Sequence, residues 1–340
     1  MNINIENLND YVQQVSYTAN YWLVRTMSGQ YFRDFINGGY IAIGYNEITL
    51  DFLRNLNEDE KLAISELRGY IAEHLQTTIS RPGHAAAQLI RFLRDVKPGD
   101  IVVVPGPSSG LIGIGRVSGS IYEAPYAGRG EDGCPFMKRI PVNVERVMRR
   151  RLLAPKAQLM FSSWHPVSDI SAYAAYIDNA VHDYYKKGEE THMMLKINTE
   201  DDVDASTFYN IENLFKFAEG YCREYGIEGT ASEVILKVQM ESKGSLRFIS
   251  KNAKFIGIVG ALILLINGGG LKIENGSYSF DLSTDGVIKN VSEYLDRQQD
   301  REMRESIKNS LDSLKIKTPE DFEKAVIELY RTQNEARNRY

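Results

Sequence analysis

Apolar residues recur at two periods along this chain. Tyr21-Trp-Leu-Val-Arg25, Tyr40-Ile-Ala-Ile-Gly44, Ile101-Val-Val-Val-Pro105 and Leu111-Ile-Gly-Ile-Gly-Arg-Val117 are short aromatic or β-branched runs bounded by Gly, Pro and Ser. Such runs predict strands, and the last two, on either side of a Gly/Pro/Ser turn, predict a hairpin. Glycines thin its second strand, which lets a small barrel bend and lets a ligand approach backbone. Between the strands the period lengthens. A short helix is expected over 30–36, ended by Asn37-Gly38-Gly39 because glycine tolerates the left-handed cap. Leu67, Ile71 and Leu75 predict an amphipathic helix over 58–77. Leu89, Phe92, Leu93 and Val96 predict another over 84–96, stopped by Pro98-Gly99. A Gly/Pro-rich loop over 124–136 and a strand over 139–144 follow.

The pattern restarts near residue 190. Strands are expected over 193–197, 233–240 and 246–249, and a helix over 204–219 with Gly220 as its stop. Phe255 to Ile266 is an uncharged run of 12, which extends to 17 residues at Leu271 if the glycine triplet 268–270 is included. A membrane span needs about 20 apolar residues, so the reading favours a buried helix over 254–266, with membrane insertion of 255–271 as its competitor. Asn275-Gly276 marks a hairpin, and the chain is charged and helical from Val287 on. Thr318, Pro319, Glu320 and Asp321 form a strong helix start.

Composition bounds the function. The 340 residues suit two domains, 1–165 and 190–340, in an α+β class. Net charge is −5, which argues against general polyanion binding. Residues 1–157 hold 18 Lys/Arg against 16 Asp/Glu, and the remainder 22 against 29, so a nucleic-acid surface belongs in the first half. Two cysteines without a CxxC spacing predict neither a disulfide framework nor a zinc site, and a cytoplasmic location is expected. The polar, acidic N-terminus is no signal peptide. Arg146, Arg149, Arg150 and Arg151 form a basic cluster that reads either as a solvated helix face or as phosphate contact.

Tyr21-Trp-Leu-Val-Arg25, then Gly39-Tyr-Ile-Ala-Ile-Gly-Tyr45, then Gln88 through Phe92, then Lys97-Pro-Gly-Asp-Ile-Val-Val103 and Gly110-Leu-Ile-Gly-Ile-Gly-Arg-Val117 occur in a distinctive order. This order resembles the EVE domains of the PUA-like superfamily, closest to the modules that open some Mrr-type restriction endonucleases. It covers about residues 20–165. The resemblance implies a bent β-barrel with flanking helices and a pocket for a modified base, often one flipped from a duplex. Holding such a base requires a flat wall and donors and acceptors for its edge. By the family's layout Trp22 and Tyr45 are wall candidates, and Arg25, His84 and Gln88 polar ones; Tyr45 departs from the tryptophan usual in the closest modules.

Each residue also has a plainer reading. Trp22 fits a barrel core and Tyr45 a strand cap. Arg25 could pair with Asp34 or Glu47, His84 could cap a helix, and Gln88 could brace backbone. Trp164-His165 is expected to pack the barrel's end. The expectation is a binding module for modified DNA or a nucleotide in prokaryotic anti-phage defence, without cofactor, metal or catalytic residue. A homo-oligomer through the C-terminal domain is a further expectation. Two alternatives stand beside it. One is a membrane-acting effector triggered through the reader. The other is a magnesium nuclease, with Glu241-Ser242-Lys243 and Glu228 as its weak motif. No P-loop or HExxH occurs.

Overall fold

A computed structural model describes residues 8–125, 133–199, 205–239, 244–267, 272–275, 278–281, 286–297 and 301–337. They form two compact units, one of residues 18–181 and one that joins residues up to 17 to those from 182 onward. The first strand, β1 (Gln13–Val15), therefore belongs to the second unit and not to the N-terminal domain expected over 1–165.

The first unit is a mixed sheet with helices. Its strands are β2 (Tyr21–Val24), β3 (Tyr40–Ile43), β4 (Ile101–Pro105), β5 (Leu111–Val117), β6 (Tyr122–Glu123), β7 (Lys138–Arg149) and β8 (Val167–Asp169). Their spatial order is β3-β7-β5-β4-β2-β8, with β6 on β7. β4 and β5 form the expected antiparallel hairpin, and β2 lies parallel to β4. β7 is twice the expected length. Lys138–Pro141 pairs with β3 and Val142–Arg149 with β5, so one strand carries the sheet around a bend. A bulge between Ile114 and Gly115 tightens it. A Cβ at Gly115 would lie 2.6 Å from Val142 and 2.7 Å from the Asn143 carbonyl. One at Gly113 would lie 2.2 Å from Ile36. These glycines admit the protein's own side chains and backbone; no ligand approach is needed to explain them.

Among the described residues the α-helices of the unit are α1 (Phe32–Gly38), α2 (Leu50–Arg54), α3 (Glu60–His74), α4 (Pro82–Arg94), α5 (Pro155–Gln158) and α6 (Ala174–Val181). Gly39 ends α1 at φ 63°, the left-handed cap expected there. Alternation along β2 divides two cores. Trp22 and Val24 join α1, α3 and α4 on one face; Tyr21 and Leu23 join Met160, Phe161 and Ile177 on the other.

The second unit has a five-stranded sheet in the order β1-β9-β10-β12-β11, with β9 (Tyr184–Lys187), β10 (Glu190–Lys196), β11 (Ile235–Gln239) and β12 (Ser245–Ser250). A separate hairpin joins β13 (Lys272–Asn275) and β14 (Tyr278–Asp281). Helix α7 (Ala205–Tyr225) runs through Gly220, the expected stop. The glycine is there for packing: a Cβ would lie 2.2 Å from the Tyr294 hydroxyl.

The apolar run forms α8 (Ala253–Ile266), capped by the Asn252 side chain on the Phe255 N–H. Its residues pack with Leu195 and Phe248 of the sheet, Phe215 of α7, and residues of α9 (Gly286–Arg297), α10 (Arg301–Ser313) and α11 (Glu320–Arg337). Gly260 permits the closest approach, because a Cβ there would meet Phe322 at 2.5 Å and Met193 at 2.6 Å. The run is therefore a core helix in this fold. Among the described residues no helix is long and apolar enough to cross a membrane. The glycine triplet 268–270, Leu271 and the Glu241-Ser242-Lys243 motif lie outside the described residues.

Candidate functional site

The loop between α5 and β8 is anchored by side chains distant from it in sequence. Local propensity does not explain this, since Ser162-Ser-Trp-His-Pro166 is a turn-forming sequence with no periodicity. Three side chains from the N-terminal half hold it. Arg25, following β2, donates from Nε to the Ser163 carbonyl at 3.0 Å and from Nη2 to the Phe161 carbonyl at 2.6 Å. Gln88 of α4, 3% exposed, accepts from the Val167 N–H at 2.8 Å. His84, in the first turn of α4, places Nε2 2.9 Å from His165 Nδ1. The three polar residues expected to meet a ligand thus converge on one loop and position it. Arg25 does so in place of pairing with Asp34 or Glu47, and Gln88 takes the bracing role.

Beside this loop lies a cleft of about 370 Å³, lined by Arg91, Met160, Ser163, His165, Ser168 and Asp169. That volume lies within the usual range of small-molecule sites, roughly 300–1,000 Å³. Ser163 and Ser168 share a 2.6 Å hydroxyl contact at its wall. Arg91 reaches the Val167 carbonyl from Nη1 at 3.4 Å and sits 3.9 Å from Asp95. Trp164 stands between two lining residues and is 92% exposed. It does not pack the barrel's end, as the sequence suggested: the residues on either side of it are fastened, and the indole projects into water. The available signal was a tryptophan set among serines and a proline, where no strand or helix offers it a core.

Trp22 is in the opposite situation. It is 5% exposed within the first core, and its Nε1–H donates to Asp100 at 2.8 Å. Asp100 also accepts from the Asn20 and Lys97 N–H groups, each at 2.9 Å. The ring has no open face to offer a base, so its core reading holds and the wall reading does not. Tyr45 is partly buried against the same core, at φ 65°, and burial pushes its phenol up. Its carbonyl and that of Ile48 each accept from Lys138 Nζ at 2.8 Å. Neither Trp22 nor Tyr45 lines the cleft.

The arginine cluster lies on the end of β7 and the single 3-10 turn Arg150–Leu152 after it, not on an α-helix. Arg146 donates to the Val181 carbonyl at 3.1 Å. Arg150 donates to the Gln158 carbonyl at 3.3 Å and stacks over Phe161 at 4.7 Å. These two hold the fold. Arg149 and Arg151 are exposed and remain free to meet an anion. Arg25 is pushed down by burial and then by the Arg150 charge, so cations crowd this side of the unit. Among the described residues no group of three or more His, Cys, Asp or Glu is placed to hold a metal ion.

No curated protein and no solved structure matches the chain. Residues 21–132 match the model of a family described as a domain of unknown function, DUF8426. The match takes in Arg25, His84, Gln88 and Arg91 but ends before the loop they anchor, so Trp164 and His165 stand outside the part of this chain similar to that family.

Proposed function

We propose that the first unit is a PUA-like, EVE-type reader that binds a modified base or nucleotide at the cleft beside Trp164. One observation carries the reading: a tryptophan exposed over nine-tenths of its surface, between two residues that line a cleft with both donors and acceptors. Stacking on such a ring is worth about 1–3 kcal/mol per base. Arg91 and the serine hydroxyls supply donors for a base edge, and Asp169 an acceptor. Arg149 and Arg151 supply cations for a backbone phosphate. The bent sheet with flanking helices is the support for the PUA-like assignment. Association with prokaryotic defence and a cytoplasmic location extend the proposal from the company that EVE-type readers keep.

The chain's two tryptophans make the test direct, because only Trp164 is exposed. Titration with deoxycytidine, deoxyadenosine, their 5-methyl, 5-hydroxymethyl and N6-methyl forms, and short duplexes carrying them is expected to quench that indole with one ligand of the panel. Trp164→Ala is expected to weaken binding by about 10- to 100-fold, measured by calorimetry. A folded Trp164→Ala protein with unchanged affinity would remove the stacking role.

A further inference from the structure

His165, which lines the cleft, makes a contact with His84 that stacking on Trp164 does not use. His84 Nε2 and His165 Nδ1 are 2.9 Å apart, with ring centroids at 5.1 Å and planes at 27°. At that distance one imidazole donates and the other accepts, so at least one ring is neutral. Such a pair can take up one proton, on the donor's far nitrogen, and keep its hydrogen bond; only a second proton breaks it. Burial, the facing His165 and then Arg81 push the His84 imidazole down.

The surrounding charges favour an anion. Arg81 precedes α4, Arg91 lies on it, Arg25 follows β2, and Arg150 stacks behind Phe161. Arg91 and the Asp169 carboxylate line the cleft, and the other three guanidinium groups are linked to its wall through Ser163, Phe161 and His84. Asp169 of β8 already accepts from the Ser171 N–H at 2.8 Å, and Asp95 lies beside Arg91. A metal ion would meet this excess of positive charge unfavourably, whereas a phosphate would meet it favourably and would favour a proton on the histidine pair.

We infer that the cleft takes a phosphate-bearing nucleotide in preference to an uncharged base or nucleoside, with its phosphate against the His84–His165 pair, and that the pair gains one proton on binding. This rests on the reading of the cleft as a nucleotide site. A phosphomonoester of a free nucleotide and a phosphodiester of a strand supply the same chemistry, and the experiment separates them.

Full-length protein is titrated at pH 5.5 and 7.5 with 5-methyl-2′-deoxycytidine, with its 5′-methylphosphate ester, and with a single-stranded hexanucleotide carrying that base. N6-methyl-2′-deoxyadenosine and its ester form a parallel set. The methyl ester keeps a single charge across this range, so any pH effect belongs to the protein. Ester affinity is expected to rise about tenfold on acidification, with the nucleoside changing less than twofold. Calorimetry in two buffers of different ionisation enthalpy is expected to read proton uptake for the ester. His84→Gln, shown folded by circular dichroism, is expected to abolish both effects. Should that variant not fold, wild-type buffer dependence alone decides. A strand that outbinds the ester identifies nucleic acid as the source, and equal binding identifies free nucleotide. Ester and nucleoside binding alike, without proton uptake, overturns this inference and leaves the cleft reading intact. Failure of every probe overturns both.

Discussion

Both units hold buried polar anchors, Asp183 of the second accepting from the Glu320 and Asp321 N–H groups, but only the second is centred on an apolar helix. In the first, Arg25, Gln88, Asp100 and Lys138 all direct side-chain polar groups at backbone carbonyls or N–H groups of segments distant in sequence. In the second, the centre is α8, an almost uninterrupted apolar helix whose neighbours are Leu, Ile, Phe and Tyr. Apolar burial is non-directional and tolerates exchange of one hydrophobe for another, whereas a buried hydrogen bond specifies one geometry. The first unit thus holds an irregular loop and an exposed indole in place, and the second supplies bulk. The candidate site lies beside that loop.

That contrast can be broken most severely in the apolar unit. Leu262→Ala, at a fully buried position of α8, is expected to cost about 2–5 kcal/mol by denaturant unfolding followed by far-ultraviolet circular dichroism. Tryptophan fluorescence, which reports only the first unit, should keep its midpoint; a shared loss would mean the units unfold together. Next in size, Asp100→Ala strands the Trp22 indole and two backbone N–H groups, at about 3 kcal/mol, read by that same fluorescence. Gln88→Ala leaves the Val167 N–H without its partner and is expected to cost about 1–3 kcal/mol. It is also expected to lower the fluorescence anisotropy of Trp164 by loosening the loop that carries it.

Lys138 tests the polar strategy by pH. It is fully buried, and desolvation pushes its ammonium down to about 8. The unfolded chain, with a lysine of ordinary pKa near 10.4, then binds more protons than the folded one above pH 8. Stability from this group rises as pH climbs from about 8 toward 10, and Lys138→Met should remove that rise. Parallel pH profiles for the two proteins would contradict it. The smallest effect is expected at Trp164, where exposure puts Trp164→Ala within about 0.5 kcal/mol of wild type in stability.

Much of the element order was legible in the chain. The β4–β5 hairpin, the Gly39 cap, the two amphipathic helices and the buried apolar helix follow from period, turn chemistry and length. The site was legible only in part. Arg25, His84 and Gln88 were picked out as polar residues facing something, and they do face something: residues 161–167 of the same chain. A side chain that contacts a distant loop has the same local signature as one that contacts a ligand. Trp22 carried both a wall and a core reading, and Trp164 was expected to be packed, because a strand tryptophan and a loop tryptophan differ in burial only after the sheet is assembled.

Local pattern determined which stretches become strands and helices, since side-chain periodicity and backbone preferences act over a few residues. It also determined that one helix is apolar all round and must be enclosed. Tertiary structure decided that β1 joins the second unit, that β7 runs on to bend the sheet, and that one tryptophan is enclosed while the other faces water. These depend on contacts between residues up to 160 or more positions apart, such as Gln13 with Tyr185, and no short-range pattern encodes which distant partner arrives.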